Sequence, residues 1–137
     1  MKLIIQIPCY NEENNIFHVL NSIPKKINGI DEIHIVVLDD GSFDSTVKIA
    51  DDFNTSIIKS NHIGLGGLFN LGLKYAIENN ADTLVNLDSD NQYNVNDIEK
   101  LMQPILKNKA DITIGTRPFD KIKTFSFAKK YYKNLAH

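Results

Sequence analysis

The sequence predicts an α/β domain with a mainly parallel sheet and helices on both faces. Short apolar runs rich in β-branched residues alternate along the chain with stripes at helical spacing. Such alternation implies right-handed crossovers between parallel strands. The unusual polar clusters also fall directly behind the strand-like runs, where ligands bind in open parallel sheets.

Leu3 to Ile7 reads as a buried strand ended by Pro8. Ile16, Val19, Leu20 and Ile23 follow at i, i+3, i+4 and i+7, a helical stripe that stops near Pro24. Ile33 to Leu38 is the second strand, ending in Asp39-Asp40-Gly41-Ser42. Asp44 or Ser45 caps a helix with Val47, Ala50 and Phe53 on one side. Thr55 to Ile58 is a third strand; Leu68, Leu71 and Tyr75 mark the next helix, and Thr83 to Leu87 a fourth strand. Ile98, Leu101, Met102 and Ile105 make a further stripe, which Pro104 kinks or ends, and Asp111 to Gly115 reads as a fifth strand.

The chain has 137 residues, room for one domain, and 42% are hydrophobic, enough for a buried core. Its formal charge of -2 offers no basic excess, so nucleic acid is not an expected partner. A single cysteine, Cys9, excludes an internal disulfide and suits a reducing compartment. No apolar run approaches a membrane span, so a soluble, cytoplasmic chain is expected. Nothing in the sequence sets an oligomeric state.

Three polar clusters carry the chemistry. Asp88-Ser89-Asp90, with Gln92 beyond, places two carboxylates two positions apart at a strand end, pointing the same way if the backbone stays extended. Such a pair repels unless a cation lies between, and Mg2+ or Mn2+ with diphosphate oxygens completing its shell fits. The bland alternative is a solvated turn before the helix around Ile98. Asp39-Asp40-Gly41-Ser42 can accept hydrogen bonds from a base edge or ribose; capping alone explains Ser42 and Asp44, but not paired acids. Behind the first strand, Tyr10 can stack on a base, and Glu12 can bind ribose or simply favour a helix start. Cys9 reads as a small space-filler, because no spacing fixes a histidine beside it.

His62-Ile63-Gly64-Leu65-Gly66-Gly67 is neither a Walker A loop nor a G-x-G-x-x-G, since no Lys-Ser/Thr follows and Phe69 takes the third glycine's place. Backbone approach to a ligand and close helix packing through Gly72 stand even. The four histidines show no metal-ligand spacing; His18 faces out of its helix and His34 lies within a strand. In the tail, Lys121, Lys123, Lys129, Lys130 and Lys133 interleave with Phe125, Phe127, Tyr131 and Tyr132, suiting either a packed helix or an anionic membrane surface.

Pro8-Cys9-Tyr10-Asn11-Glu12, Leu38-Asp39-Asp40-Gly41-Ser42-Phe43-Asp44-Ser45-Thr46 and Asp88-Ser89-Asp90-Asn91-Gln92 together resemble the family-two glycosyltransferases of the GT-A fold. The branch they most resemble contains the dolichyl- and polyprenyl-phosphate sugar synthases, and the likeness runs through Ile114-Gly115-Thr116-Arg117. That resemblance implies a Rossmann-like GT-A domain over residues 1–137, truncated on its C-terminal side. It implies that Pro8, Tyr10, Glu12, Leu38, Asp39 and Asp40 line the nucleotide pocket. Asp88, Ser89, Asp90 and Gln92 would hold the divalent metal and the diphosphate, and Arg117 would meet phosphates. Asp88, Asp90 and Arg117 are the expected catalytic residues. The implied reaction is inverting, metal-dependent transfer from a UDP- or GDP-linked sugar to a lipid phosphate, in envelope glycan synthesis at the inner face of a membrane. Transfer to a glycan hydroxyl would require a base outside this chain, and a nucleotide-sugar-binding module without turnover suits the short length. A sugar-nucleotide pyrophosphorylase is disfavoured, because no Gly-rich, Arg-containing loop follows the first strand.

Overall fold

The structure is a computed structural model and describes residues 1–116. Its elements run β1 (Lys2–Cys9), α1 (Ile16–Ser22), β2 (Glu32–Asp39), α2 (Thr46–Asp51), β3 (Ser56–Lys59), α3 (Gly64–Glu78), β4 (Thr83–Asn86) and α4 (Asp97–Leu106). The strands form one sheet in the order β3-β2-β1-β4, every pair parallel. This is the expected α/β architecture.

Alternation along β1 sets the two layers. Leu3, Ile5, Ile7 and Cys9 enter the larger core with Ile16, Val19 and Leu20 of α1, Ala50 of α2, and Ile98 and Met102 of α4. Ile4, Val36 and Leu38 face the other way, onto Leu68 and Ala76 of α3. The central strands are buried on both faces, which is why they read as unbroken apolar runs.

α3 lies very close to the sheet. A Cβ on Gly72 would sit 2.0 Å from Gln6 Oε1 and 2.8 Å from Leu38 Cδ1, so only glycine lets the helix settle there. Packing therefore accounts for Gly72. Tyr75 ties the same helix to the sheet: its hydroxyl lies 2.9 Å from both Ser56 Oγ and His34 Nε2. The outward flank of α3 leaves Leu65, Phe69, Leu73 and Ile77 exposed.

Three expectations need correction. β1 runs through Pro8 to Cys9 instead of ending at the proline. Gln6 O accepts Leu87 N–H at 3.0 Å, so Pro8, two residues on, turns its missing donor toward β4, which has already ended at Asn86. α4 likewise passes through Pro104 and stops two residues later, at Leu106. The third correction is larger, because Asp111–Gly115 forms no strand. Thr113 Oγ1 donates to Leu101 O at 2.9 Å, holding the segment on α4 with Ile112 and Ile114 exposed. A strand requires a neighbour, and this segment pairs with none among the described residues.

No helix of the described residues is long and apolar enough to cross a membrane.

Candidate functional site

Because all strands are parallel, their carboxyl ends share one rim, and the loops after β1, β2, β3 and β4 leave from it. Each loop contains a left-handed residue: Asn11 (φ 54), Gly41 (φ 89), His62 (φ 57) and Asn91 (φ 56). Those backbone reversals turn each chain sharply at the strand exit.

The first two loops are laced together. Asp40 N donates to Cys9 O at 2.9 Å, Asn11 N to Ser42 Oγ at 2.9 Å, and Glu12 N to Thr46 Oγ1 at 2.8 Å. Phe43 N returns a bond to Asn11 Oδ1 at 3.0 Å, and Ser45 N one to Glu13 Oε2 at 3.0 Å. Sequence reasoning missed Asn11 and Thr46 as cross-loop ties, since neither carries a distinctive motif alone.

Asp40 carries the strongest local demand. It is 5% exposed, and its carboxylate accepts Ser60 Oγ–H at 2.6 Å, Ile63 N–H at 2.8 Å and Gly64 N–H at 2.9 Å. Two of those donors open α3, so Asp40 anchors that helix to the end of β2. The Ser60 hydroxyl, opposed by burial and helped by both amides and His62, holds its pKa below the usual carboxylate range. Asp39, also buried, accepts Ser42 N–H at 3.2 Å and closes the turn around Gly41. It forms part of the wall of a cleft of about 1030 Å³ shared with Lys48, Asp51, Lys59 and Ser60. At Asp44, burial works against ionisation, but the Thr46 hydroxyl and amide and the Glu13 amide prevail and lower its pKa. The Asp44 carboxylate accepts Thr46 N–H at 2.9 Å from one residue before the N-cap of α2, Ser45, whose own side chain makes no capping bond.

Tyr10 stands half-exposed at the centre of this rim. Its ring meets Phe43 edge-on at 6.3 Å and His62 edge-on at 4.6 Å. Glu12 accepts Asn15 Nδ2–H at 2.8 Å. Pro8 pairs with Leu38 across the sheet, and the Leu38 side chain is fully buried against α3. Cys9 Sγ lies 3.7 Å from Leu38 O, and burial, then the charges of Asp39, Glu12 and Asp44, push its pKa up to about 12. Such a thiol is a space-filler, not a nucleophile.

The loop after β4 is built differently. Its backbone turns at Ser89 and Asp90, a turn completed by the left-handed Asn91. The condition that would align Asp88 and Asp90 along a strand is therefore not met. Ser89 is buried, while both aspartates are half-buried. Asp90 Oδ1 accepts Gln92 N–H at 3.0 Å, and among the described residues Asp88 meets neither a cation nor a hydrogen-bond donor. No group of three or more His, Cys, Asp or Glu side chains is gathered for a metal among the described residues. Two carboxylates that no Lys or Arg opposes among the described residues do suit a hard cation that draws its remaining ligands from a diphosphate. Arg117 and the basic aromatic tail lie outside the described residues.

The parallel four-stranded sheet and its helices have the arrangement of a GT-A fold, here present in part. The chain belongs to glycosyl transferase family 2, whose profile matches residues 4–135. It is 34% identical over 129 residues to a UDP-N-acetylglucosamine–dolichyl-phosphate N-acetylglucosaminyltransferase of Methanococcus voltae, covering 81% of this chain and 50% of that one. It is 32% identical over 137 residues to a dolichol-phosphate mannosyltransferase of Pyrococcus furiosus, covering 95% of this chain and 38% of that protein. Among solved structures it is similar to glucosyl-3-phosphoglycerate synthase from Mycobacterium tuberculosis in complex with Mn2+, UDP-glucose and phosphoglyceric acid. That match has a TM-score of 0.65 and 25% identity, covering 79% of this chain and 40% of the other. The chain spans about half the length of the curated relatives it matches.

Proposed function

We propose that this chain forms the donor-binding half of a glycosyltransferase that moves a sugar from a nucleoside diphosphate to a polyprenyl-type lipid phosphate, at the inner face of a membrane. The observation that carries this reading is the rim itself, where an aromatic platform and a cleft lie on one side and Asp88 and Asp90 follow β4 on the same edge. Tyr10, Pro8, Glu12 and Asp39 would receive the UDP- or GDP-linked nucleoside, while Leu38 and Asp40 fix the floor and the entry of α3. Asp88 and Asp90, with Ser89 and Gln92, would hold Mg2+ or Mn2+ and so place the diphosphate; Arg117 would meet phosphates. A metal held there would supply positive charge where the leaving diphosphate gains negative charge.

A lipid phosphate is already ionised near neutral pH, so its oxygen can attack the anomeric carbon without a base. The bond from that carbon to the diphosphate breaks on the opposite face, which inverts the centre. Similarity to the two dolichyl-phosphate transferases supports this acceptor, and the Mn2+ and UDP-glucose of the mycobacterial complex support the metal and donor.

Binding without turnover is the alternative that the following measurements separate from transfer. Calorimetry with UDP and GDP, with and without Mn2+, tests the site. Metal-dependent binding of one nucleotide is expected, and no binding of either would remove the proposal. Transfer of radiolabelled sugar to a polyprenyl phosphate then separates enzyme from module.

A further inference from the structure

We infer that His62 is a positioning residue for the nucleotide, holding the Tyr10 ring as a fixed wall of the site; this rests on the donor-binding reading above. The described chain has six non-glycine residues at positive φ, and five are Asn, a side chain that tolerates the left-handed region. His62, at φ 57, is the exception. Asn or Gly would serve the turn as well or better, so backbone geometry does not explain the imidazole.

The ring contacts do. His62 Nδ1 lies 3.2 Å from Asp40 O, and a carbonyl only accepts, so Nδ1 carries the hydrogen. That bond sets the ring orientation from the end of β2. The ring then meets Tyr10 at 4.6 Å with 66° between planes, while Phe43 holds another side of Tyr10 at 6.3 Å and 82°. Tyr10 is 43% exposed, so these two edge contacts are what limits its swing. His62 belongs to the β3–α3 loop and Tyr10 to the β1 exit. Their contact therefore clasps two strand exits across β2, beside the Asp39 cleft. A ring held this way costs a ligand less ordering entropy than one that must first be immobilised.

The experiment is a double-mutant cycle on nucleotide affinity. His62→Asn, which keeps the left-handed turn, is expected to leave Tm unchanged or raised while weakening the Kd for UDP or GDP by about 3- to 10-fold. His62→Phe, which keeps a ring but loses the bond to Asp40 O and strains the turn, is expected to recover only a small part of that affinity. In a Tyr10→Leu background, His62→Asn has no further effect, which is the coupling that a merely structural histidine would not show. Should His62→Asn lower Tm, His62→Gly supplies the same comparison. An unchanged Kd in either variant, or additive losses with Tyr10→Leu, overturns the role of His62 while the donor-binding reading stands. A wild-type chain that binds neither nucleotide overturns both.

Discussion

The two halves of the rim treat their carboxylates in opposite ways. After β2, Asp39, Asp40 and Asp44 are answered by backbone amides and hydroxyls, and the pKa values of Asp40 and Asp44 are lowered as a result. After β4, Asp88 has no such partner among the described residues, and Asp90 holds one backbone amide of its own turn. A carboxylate satisfied by protein donors stabilises the fold, whereas one left without donors retains its capacity for a ligand. The first half is thus organised by the chain itself. On the proposed function, the second would take its order from the metal and diphosphate it receives.

The largest effect should come from the second half. Replacing Asp88 or Asp90 with Asn is expected to abolish the Mn2+-dependent part of nucleotide binding, a loss of at least about ten-fold in affinity. Tm of the metal-free protein should hardly move. If these variants unfold the chain and leave the metal increment intact, the contrast between the halves is wrong.

The converse holds at Asp40. Asp40→Ala leaves Ile63 N–H and Gly64 N–H at the head of α3 without their acceptor, and should lower Tm by about 5 °C or more. Thermal melts with and without Mn2+ and nucleotide would separate the effects: stability falls, yet the metal increment survives in whatever remains folded.

A smaller effect is set by pH. The folded pKa of Asp40 lies below the ordinary aspartate value of 3.8, so its contribution is fully present above that value and fades as pH falls through the depressed folded pKa. Acid titration of stability should therefore be flat from neutral pH to about 4 on account of this group, and then drop. Asp40→Asn should flatten that acid limb, since Asn does not titrate.

Much of the fold, though not this contrast, is legible in the sequence, for physical reasons that differ by region. The first four strands announced themselves because a sheet covered on both faces needs continuous apolar runs, as in Ile4-Ile5 and Val36-Val37. The acidic clusters were legible as clusters, and the rim followed from parallel pairing alone. Individual bonds were hidden: nothing in the spacing says that Asp40 reaches Ser60 and Ile63, 20 and 23 residues later. The His62 contact with Tyr10 was hidden likewise, because it joins loops that meet only once β2 separates them. Pro8 and Asp111–Gly115 misled because strand ends depend on the neighbouring strand, which local pattern does not contain.

The smallest effect lies inside the laced half, at Cys9. Burial among the β1 and α1 apolar residues, reinforced by the nearby Asp39, Glu12 and Asp44, raises the thiol from 9.0 to about 12. In the unfolded chain the thiol ionises near its ordinary value, so the folded state binds the proton more tightly. The sign follows: this contribution is whole below pH 9.0 and is lost as pH climbs toward about 12. Denaturant melts across that range should show stability declining, and Cys9→Ala should reduce the decline while losing a little packing at all pH values. A thiol reagent at pH 8 offers the sharper check. Labelling should be slow in the native protein and fast once guanidinium unfolds it. Rapid native labelling would mean that the β1 exit opens readily and that the laced half of the rim is not pre-organised.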